Sequence, residues 1–178
     1  MAQIDNSYLS DKVALRCGHL PDKDKIFVLD CFAGKETIWK GVRKLTGKNI
    51  VTLPIDKRDD VGFHLPGDNR SYLDTIDLER FDVIDLDAWG VPFDQMEILF
   101  NRGYKGAVFV TFIQSVYGCL PYGLLEVIGY GRDMIGKIPT LFYRKGWDHL
   151  KQYLAKKGVS RISHRTHAQK HYLYFELE

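Results

Sequence analysis

Two apolar runs, Phe27-Val28-Leu29-Asp30-Cys31-Phe32-Ala33-Gly34 and Phe81-Asp82-Val83-Ile84-Asp85-Leu86-Asp87, constrain the fold more than any other feature of this chain. Each is short, carries β-branched or aromatic residues, and ends on acidic and small ones, as a buried parallel strand does where it opens into a loop. A carboxylate at the end of a buried strand is costly unless it binds something. In open α/β sheets the ligand lies outside those strand ends. The first run therefore reads as a nucleotide-cofactor loop.

The rest of the chain alternates strands and helices. The pattern predicts a short helix from Ser10 to about Leu20, ended by Pro21, then a strand at Ile26 to Cys31. A helix from about Glu36 to Leu45 presents Ile38, Val42 and Leu45 on one side and stops near Gly47. Further strands are expected at Ile50 to Ile55, Gly62 to Leu65, Phe81 to Leu86 and Ala107 to Ile113, with helices at Ser71 to Leu78, Phe93 to Phe100 and near Leu141 to Lys157. Two final runs, Ser160 to Thr166 and His171 to Leu177, are close enough to pair as a hairpin. The expected fold is α/β, a doubly wound and mostly parallel seven-stranded sheet with a C-terminal antiparallel hairpin. Residues 1–178 form a single domain in this reading, with 1–24 as an N-terminal extension.

At 178 residues, 45% hydrophobic and 27% charged, the chain has the material for one soluble domain with a sizeable core. No apolar run approaches the roughly 20 residues of a membrane span. The start, Met1-Ala2-Gln3-Ile4-Asp5, lacks the basic flank and apolar stretch of a secretion signal, so the expected location is cytoplasmic. Cys17, Cys31 and Cys119 are too scattered for a Cys-x-x-Cys site and read as reduced thiols. Charge is uneven. Residues 131 to 178 hold ten Lys or Arg against four acids, a balance that suits a polyanion such as nucleic acid, through Arg161, Arg165 and Lys170. A solvated helix face plus a lysine-protected edge strand explains the same residues equally well.

The strand-end residues resemble the seven-strand S-adenosylmethionine-dependent methyltransferases. Asp30-Cys31-Phe32-Ala33-Gly34 is similar to that family's first cofactor motif, Asp56 falls where an acid ends the second strand, and Gly67-Asp68-Asn69 resembles the adenine-side turn after the third. Within the family, Asp82-Val83-Ile84-Asp85-Leu86-Asp87-Ala88-Trp89-Gly90-Val91-Pro92 most resembles the fourth motif of the tRNA guanine dimethyltransferases, where proline, an aromatic, glycine, serine and proline follow the last acid. The resemblance covers about residues 25 to 130 and does not extend to the large C-terminal domain of those tRNA enzymes, so substrate identity does not transfer with it.

The resemblance implies a Rossmann-like fold and S-adenosylmethionine as cofactor. Asp56 would hold the ribose diol, Asp68 and Asn69 the adenine side, and Asp30 the Gly34 loop or the cofactor ammonium, with Phe32 beside them. Asp85 is either a further functional carboxylate or a structural acceptor. Asp87 and the Ala88 carbonyl would accept the two N–H bonds of an exocyclic amine, and Trp89 would stack on an extruded base. For each acid the plainer reading is a turn or cap residue, and for Trp89 a core or rim aromatic anchoring the next helix.

Two positions depart from the family pattern. Lys35-Glu36 stands where a second glycine is usual, and Ala88 where proline is. Turned inward, Glu36 would clash with the cofactor's carboxylate or pair with its ammonium; the expectation is that it turns outward, because an acid is favoured at a helix start. His164, His167 and His171 do not read as a metal site, since His164 and His167 point to opposite faces of an extended chain. Cys119, Tyr117 and Tyr122 lie after the fifth strand, near where substrates of the family enter.

The function expected is methylation of an exocyclic amine of a nucleic acid base, in RNA rather than DNA, with no membrane or metal partner. Two alternatives stay open: a catalytically degenerate binding protein on the same fold, and a methyltransferase for a small molecule or a protein. Oligomeric state is not encoded in any of these features.

Overall fold

The strands are β1 (Lys25–Asp30), β2 (Asn49–Asp56), β3 (Leu65–Pro66), β4 (Val83–Leu86), β5 (Gly106–Ile113), β6 (Val159–His167) and β7 (Lys170–Leu177). They form one sheet in the order β3-β2-β1-β4-β5-β7-β6. The computed structural model describes residues 8–58, 64–113, 121–137, 146–167 and 170–178. β1 to β5 run parallel, while β7 lies antiparallel between β5 and β6. The chain is thus α/β and doubly wound, with the expected C-terminal hairpin inserted so that its last strand joins the sheet. Both edges resist further pairing. β3 is two residues long and contains Pro66, and β6 carries exposed Arg161 and Arg165.

Helices cover the two faces: α1 (Leu9–Cys17), α2 (Thr37–Thr46), α3 (Asn69–Thr75), α4 (Phe93–Asn101), α5 (Tyr122–Val127), α6 (Arg132–Lys137) and α7 (Gly146–Lys156). Alternation along each strand sorts the core into two layers. Leu29, Ile84, Leu86, Val108 and Val110 pack with α4, α5 and α7. Ile26, Val28, Val83 and Phe109 pack with Val13 and Leu15 of α1 and with Trp39 and Val42 of α2. Asp30, Asp85 and Thr111 share the phase of this second layer, so they point toward α1 and α2.

Several boundaries differ from the sequence reading. The α2 stripe is Trp39 and Val42, whereas Leu45 is exposed, because the helix is rotated to bring the Trp39 indole onto the sheet. α3 is shorter than expected and is followed by a separate 3-10 turn, Leu78–Arg80. Of the expected third strand only its last part lies within the described residues. α5 and α6 were not anticipated; six residues each, interrupted by glycines, they give no readable period. α1 packs on α2 and β7. Among the described residues, no helix is long and apolar enough to cross a membrane.

Candidate active site

The turn after β1 is held from below by β2. Gly34 has φ +50, a region costly for other residues, and its N–H donates to Asp56 Oδ2 at 2.8 Å. The other Asp56 oxygen accepts from Arg58 N at 2.9 Å. Asp56 therefore ties the ends of β1 and β2 together. Oδ1 also pairs with Arg58 Nε at 3.5 Å, while Oδ2 keeps a lone pair for a further donor such as a ribose hydroxyl.

Glu36 departs from the glycine pattern in residue type but not in backbone. It has φ +52, so the chain takes the left-handed turn a glycine would take. Its carboxylate turns away from the loop, accepts from Thr52 Oγ1 and pairs with Arg43 Nη2 at 3.6 Å. The outward orientation is the expected one.

Asn69 and Asp68 sit beyond β3, where the sequence motif puts them. Asn69 is buried and bridges two elements: its Nδ2 donates to the Cys31 carbonyl at 2.8 Å and its Oδ1 accepts from Gln95 of α4 at 2.9 Å. Its amide ties the loop after β1 to α4. Asp68 caps α3 through Arg70 N and binds the Arg70 guanidinium at 2.8 Å. Those Arg70 hydrogen bonds hold its carboxyl down at about 2. Phe32 is half-buried and packs on the core.

Three carboxylates converge where β1 and β4 end. Asp30 and Asp85 are register partners on adjacent strands, and Asp87 lies two residues beyond Asp85. Asp85 is fully engaged: Arg16 of α1 forks onto it at 2.7 and 2.6 Å, and Trp39 Nε1 donates at 2.8 Å. It is an acceptor for side chains of α1 and α2. Asp87 accepts from Thr111 Oγ1 of β5 and pairs with Lys12 Nζ at 2.8 Å. Asp30 has the thinnest support. It is 4% exposed and accepts from the Phe32 N–H at 3.4 Å. Loss of water holds its carboxyl well above the ordinary range, and Asp85 and Asp87 add to the rise.

Ala88 is buried and its N–H closes a tight turn onto the Leu86 carbonyl at 2.8 Å. That turn puts Trp89 outside, 67% exposed. The indole is a rim aromatic with a free face and no part of the core. Gly90 follows with φ +122, and Pro92 leads into α4.

With this geometry described, comparison with known proteins separates fold from family. No family model and no curated protein matches the sequence. Solved structures do match. The Escherichia coli protein yhhF, provisionally named a methyltransferase, is 10% identical over 99% of this chain and 88% of its own, with a TM-score of 0.56. A possible exported protein from Bordetella parapertussis is 11% identical over 96% of this chain and 67% of its own, with a TM-score of 0.59. A SAM dependent methyltransferase from Archaeoglobus fulgidus is 12% identical over 94% of this chain and 93% of its own, with a TM-score of 0.52. The fold is that of the class I S-adenosylmethionine-dependent methyltransferases. At these identities the likeness is one of fold, and activity has to be argued from the site.

The basic C-terminal residues are only partly free for a polyanion. Arg161 and Arg165 alternate onto the α1 face of β6; Arg161 is exposed, whereas Arg165 Nη1 pairs with Asp11 Oδ1 at 2.7 Å. Lys170 Nζ lies 5.8 Å from the Tyr8 ring centroid. The three histidines divide between faces: His164 and His171 flank Trp147, while His167 stacks on Tyr8 and reaches Asp11. Tyr122 is exposed at the start of α5; Tyr117 and Cys119 lie outside the described residues.

Lys12, Arg16 and Thr111 escaped the sequence reading. The signal for the first two is faint but real. Lys12 and Arg16 stand four apart on one helix face, and Asp87 stands two positions after Asp85, just past the end of β4. Nothing local to either segment joins them.

Proposed function

We propose that the chain is an S-adenosylmethionine-dependent methyltransferase that modifies an exocyclic amine of a nucleic acid base, in RNA rather than DNA. The observation that carries the reading is Asp30, a buried carboxylate beside the Gly34 turn whose hydrogen bond among the described residues is a long one, from the Phe32 N–H. It is the third acid of a cluster in which Asp85 and Asp87 already hold Arg16 and Lys12. A ligand bringing positive charge to that place would relieve the cost of the site. S-adenosylmethionine is such a ligand, and when bound it supplies a methyl group already activated on a sulfonium.

The chain's own residues then have simple tasks. Asp30 faces the cationic end of the cofactor, Asp56 accepts from the ribose hydroxyls while fixing Gly34, and Asp68 borders the adenine side. The Asp87 carboxylate and the Ala88 carbonyl accept the two N–H bonds of the acceptor amine, which biases its delocalised lone pair toward attack. Trp89 offers a stacking face, worth about 1–3 kcal/mol for a nucleobase. Positioning dominates because the methyl donor needs no further activation.

Radiolabelled methyl transfer onto pooled tRNA, other RNA and DNA tests the proposal. RNA should take up label, Asp87→Ala should abolish uptake, and nucleic-acid affinity should survive that change. Affinity for RNA should also fall steeply with salt, while cofactor affinity should not. Label found instead on a small molecule would keep the enzyme and overturn the acceptor. Cofactor binding with no transfer to any acceptor would favour a binding protein on this fold.

A further inference from the structure

We propose that Lys12 restricts the acceptor to neutral amines and closes the Asp87 site to alkylammonium groups such as lysine side chains and polyamines. The inference rests on the function proposed above and adds the charge state of its substrate. Lys12 Nζ stands 2.8 Å from Asp87 Oδ1 and 2.9 Å from Oδ2. The two side chains are 9% and 14% exposed. The ammonium thus occupies one side of the carboxylate assigned to receive the acceptor amine, and Thr111 donates to the same carboxylate from β5.

Lys12 is held there by the fold rather than resting there by chance. Four residues of helix rise about 6 Å, and Lys12 and Arg16 of α1 meet Asp87, just past the end of β4, and Asp85, within it, as two rungs of one ladder. The Arg16 rung is buried and forked, and Arg16 Nη1 also donates to the Lys12 carbonyl at 3.0 Å. Val13 and Leu15, between the rungs, sit in the core. α1 cannot shift Lys12 away without breaking the Arg16 pair.

Charge then decides the class of acceptor. Asp85 is matched by Arg16 and Asp87 by Lys12, and Asp30 is the acid left for the cationic cofactor. No acid in this cluster remains for a further positive group. A neutral exocyclic amine needs only a lone pair of Asp87 for one N–H and adds no charge. An ammonium would stand as a second cation against Lys12 in a place largely shielded from water, where like charges repel strongly. Discrimination on the order of 100-fold follows from such a repulsion.

The test uses the full chain with Lys12→Gln, which removes the charge, and Lys12→Arg, which keeps it. Calorimetric titration with n-butylammonium chloride, in the presence of S-adenosylhomocysteine, should show no binding to wild type or Lys12→Arg. Lys12→Gln should gain binding, and a second change, Asp87→Asn, should remove it again. Label transfer from S-adenosylmethionine onto poly-lysine, whose bound ammonium must first lose a proton to water to expose its lone pair, should rise on the order of 100-fold relative to pooled RNA in Lys12→Gln and stay flat in Lys12→Arg. Asp87-dependent butylammonium binding by wild type would overturn the inference, as would a Lys12→Gln protein that melts cooperatively yet gains neither property. Should Lys12→Gln fail to fold, the wild-type and Lys12→Arg titrations still decide. Failure of the wild type to bind either cofactor form is a different result, and it removes the proposed function itself.

Discussion

The Arg16 guanidinium and the Asp85 carboxylate meet with 2% and 1% of their side chains exposed, joining the first helix to the centre of the sheet. Removing one partner of such a pair strands the other charge in the core. Asp85→Ala should therefore cost about 3–5 kcal/mol. Urea denaturation of wild type and variant measures it, and a loss below about 1 kcal/mol would mean that water reaches Arg16.

Glu36 offers a second stability test. Because it sits at φ +52, Glu36→Gly relieves backbone strain while Glu36→Ala keeps it, and both lose the Thr52 and Arg43 contacts. The glycine variant should be more stable than the alanine variant by about 1 kcal/mol. Since the Glu36 side chain points away from the Gly34 turn, affinity for S-adenosylmethionine should stay within about two-fold of wild type in the glycine variant. A large change of affinity in either direction would place the side chain in the cofactor site.

Stability should also depend on pH through His171. Burial, with His164 adding to it, pushes this imidazole down to about 4, below its value in an unfolded chain. The unfolded state then takes up a proton first as pH falls. The contribution is complete above about pH 6.5 and is lost toward pH 4, at up to about 1.4 kcal/mol per unit. Melting temperatures between pH 7.5 and 4.5 should fall for wild type and fall less for His171→Phe.

Asp30 works in the opposite sense. Its carboxyl is raised, so the folded state holds the proton more tightly and ionisation at neutral pH opposes folding. Asp30→Asn should raise the melting temperature at pH 7 while weakening S-adenosylmethionine binding, a trade expected where a site stores an unfavourable charge. An unchanged melting temperature would show that solvent or a cation already serves Asp30.

What the sequence disclosed and what it hid follow one physical line. β4 and β5 were legible because a strand buried on both faces leaves a continuous apolar run, β1 and β2 because their apolar runs end on an acid, and the Gly34 turn because its backbone demands glycine. The roles of Asp85 and Asn69 were hidden. Their partners, Arg16 and the Cys31 carbonyl, lie 69 and 38 positions away and leave no local pattern. The orientation of α2 was misread at Leu45 for the same reason, since a distant carboxylate and not the helix's own period draws Trp39 inward. Asp68 shows both at once, a cap residue in the place where the motif predicts a ligand contact.

The central claim is that the Gly34 turn and its strand-end carboxylates form a cofactor site, and titration calorimetry with S-adenosylmethionine tests it most directly. The account predicts saturable binding below millimolar ligand. Asp56→Ala should weaken it by roughly 1.5–3 kcal/mol, through lost charge-assisted hydrogen bonds and a loosened Gly34 turn. No heat at millimolar ligand, or an Asp56→Ala protein that binds as tightly as wild type, would contradict it.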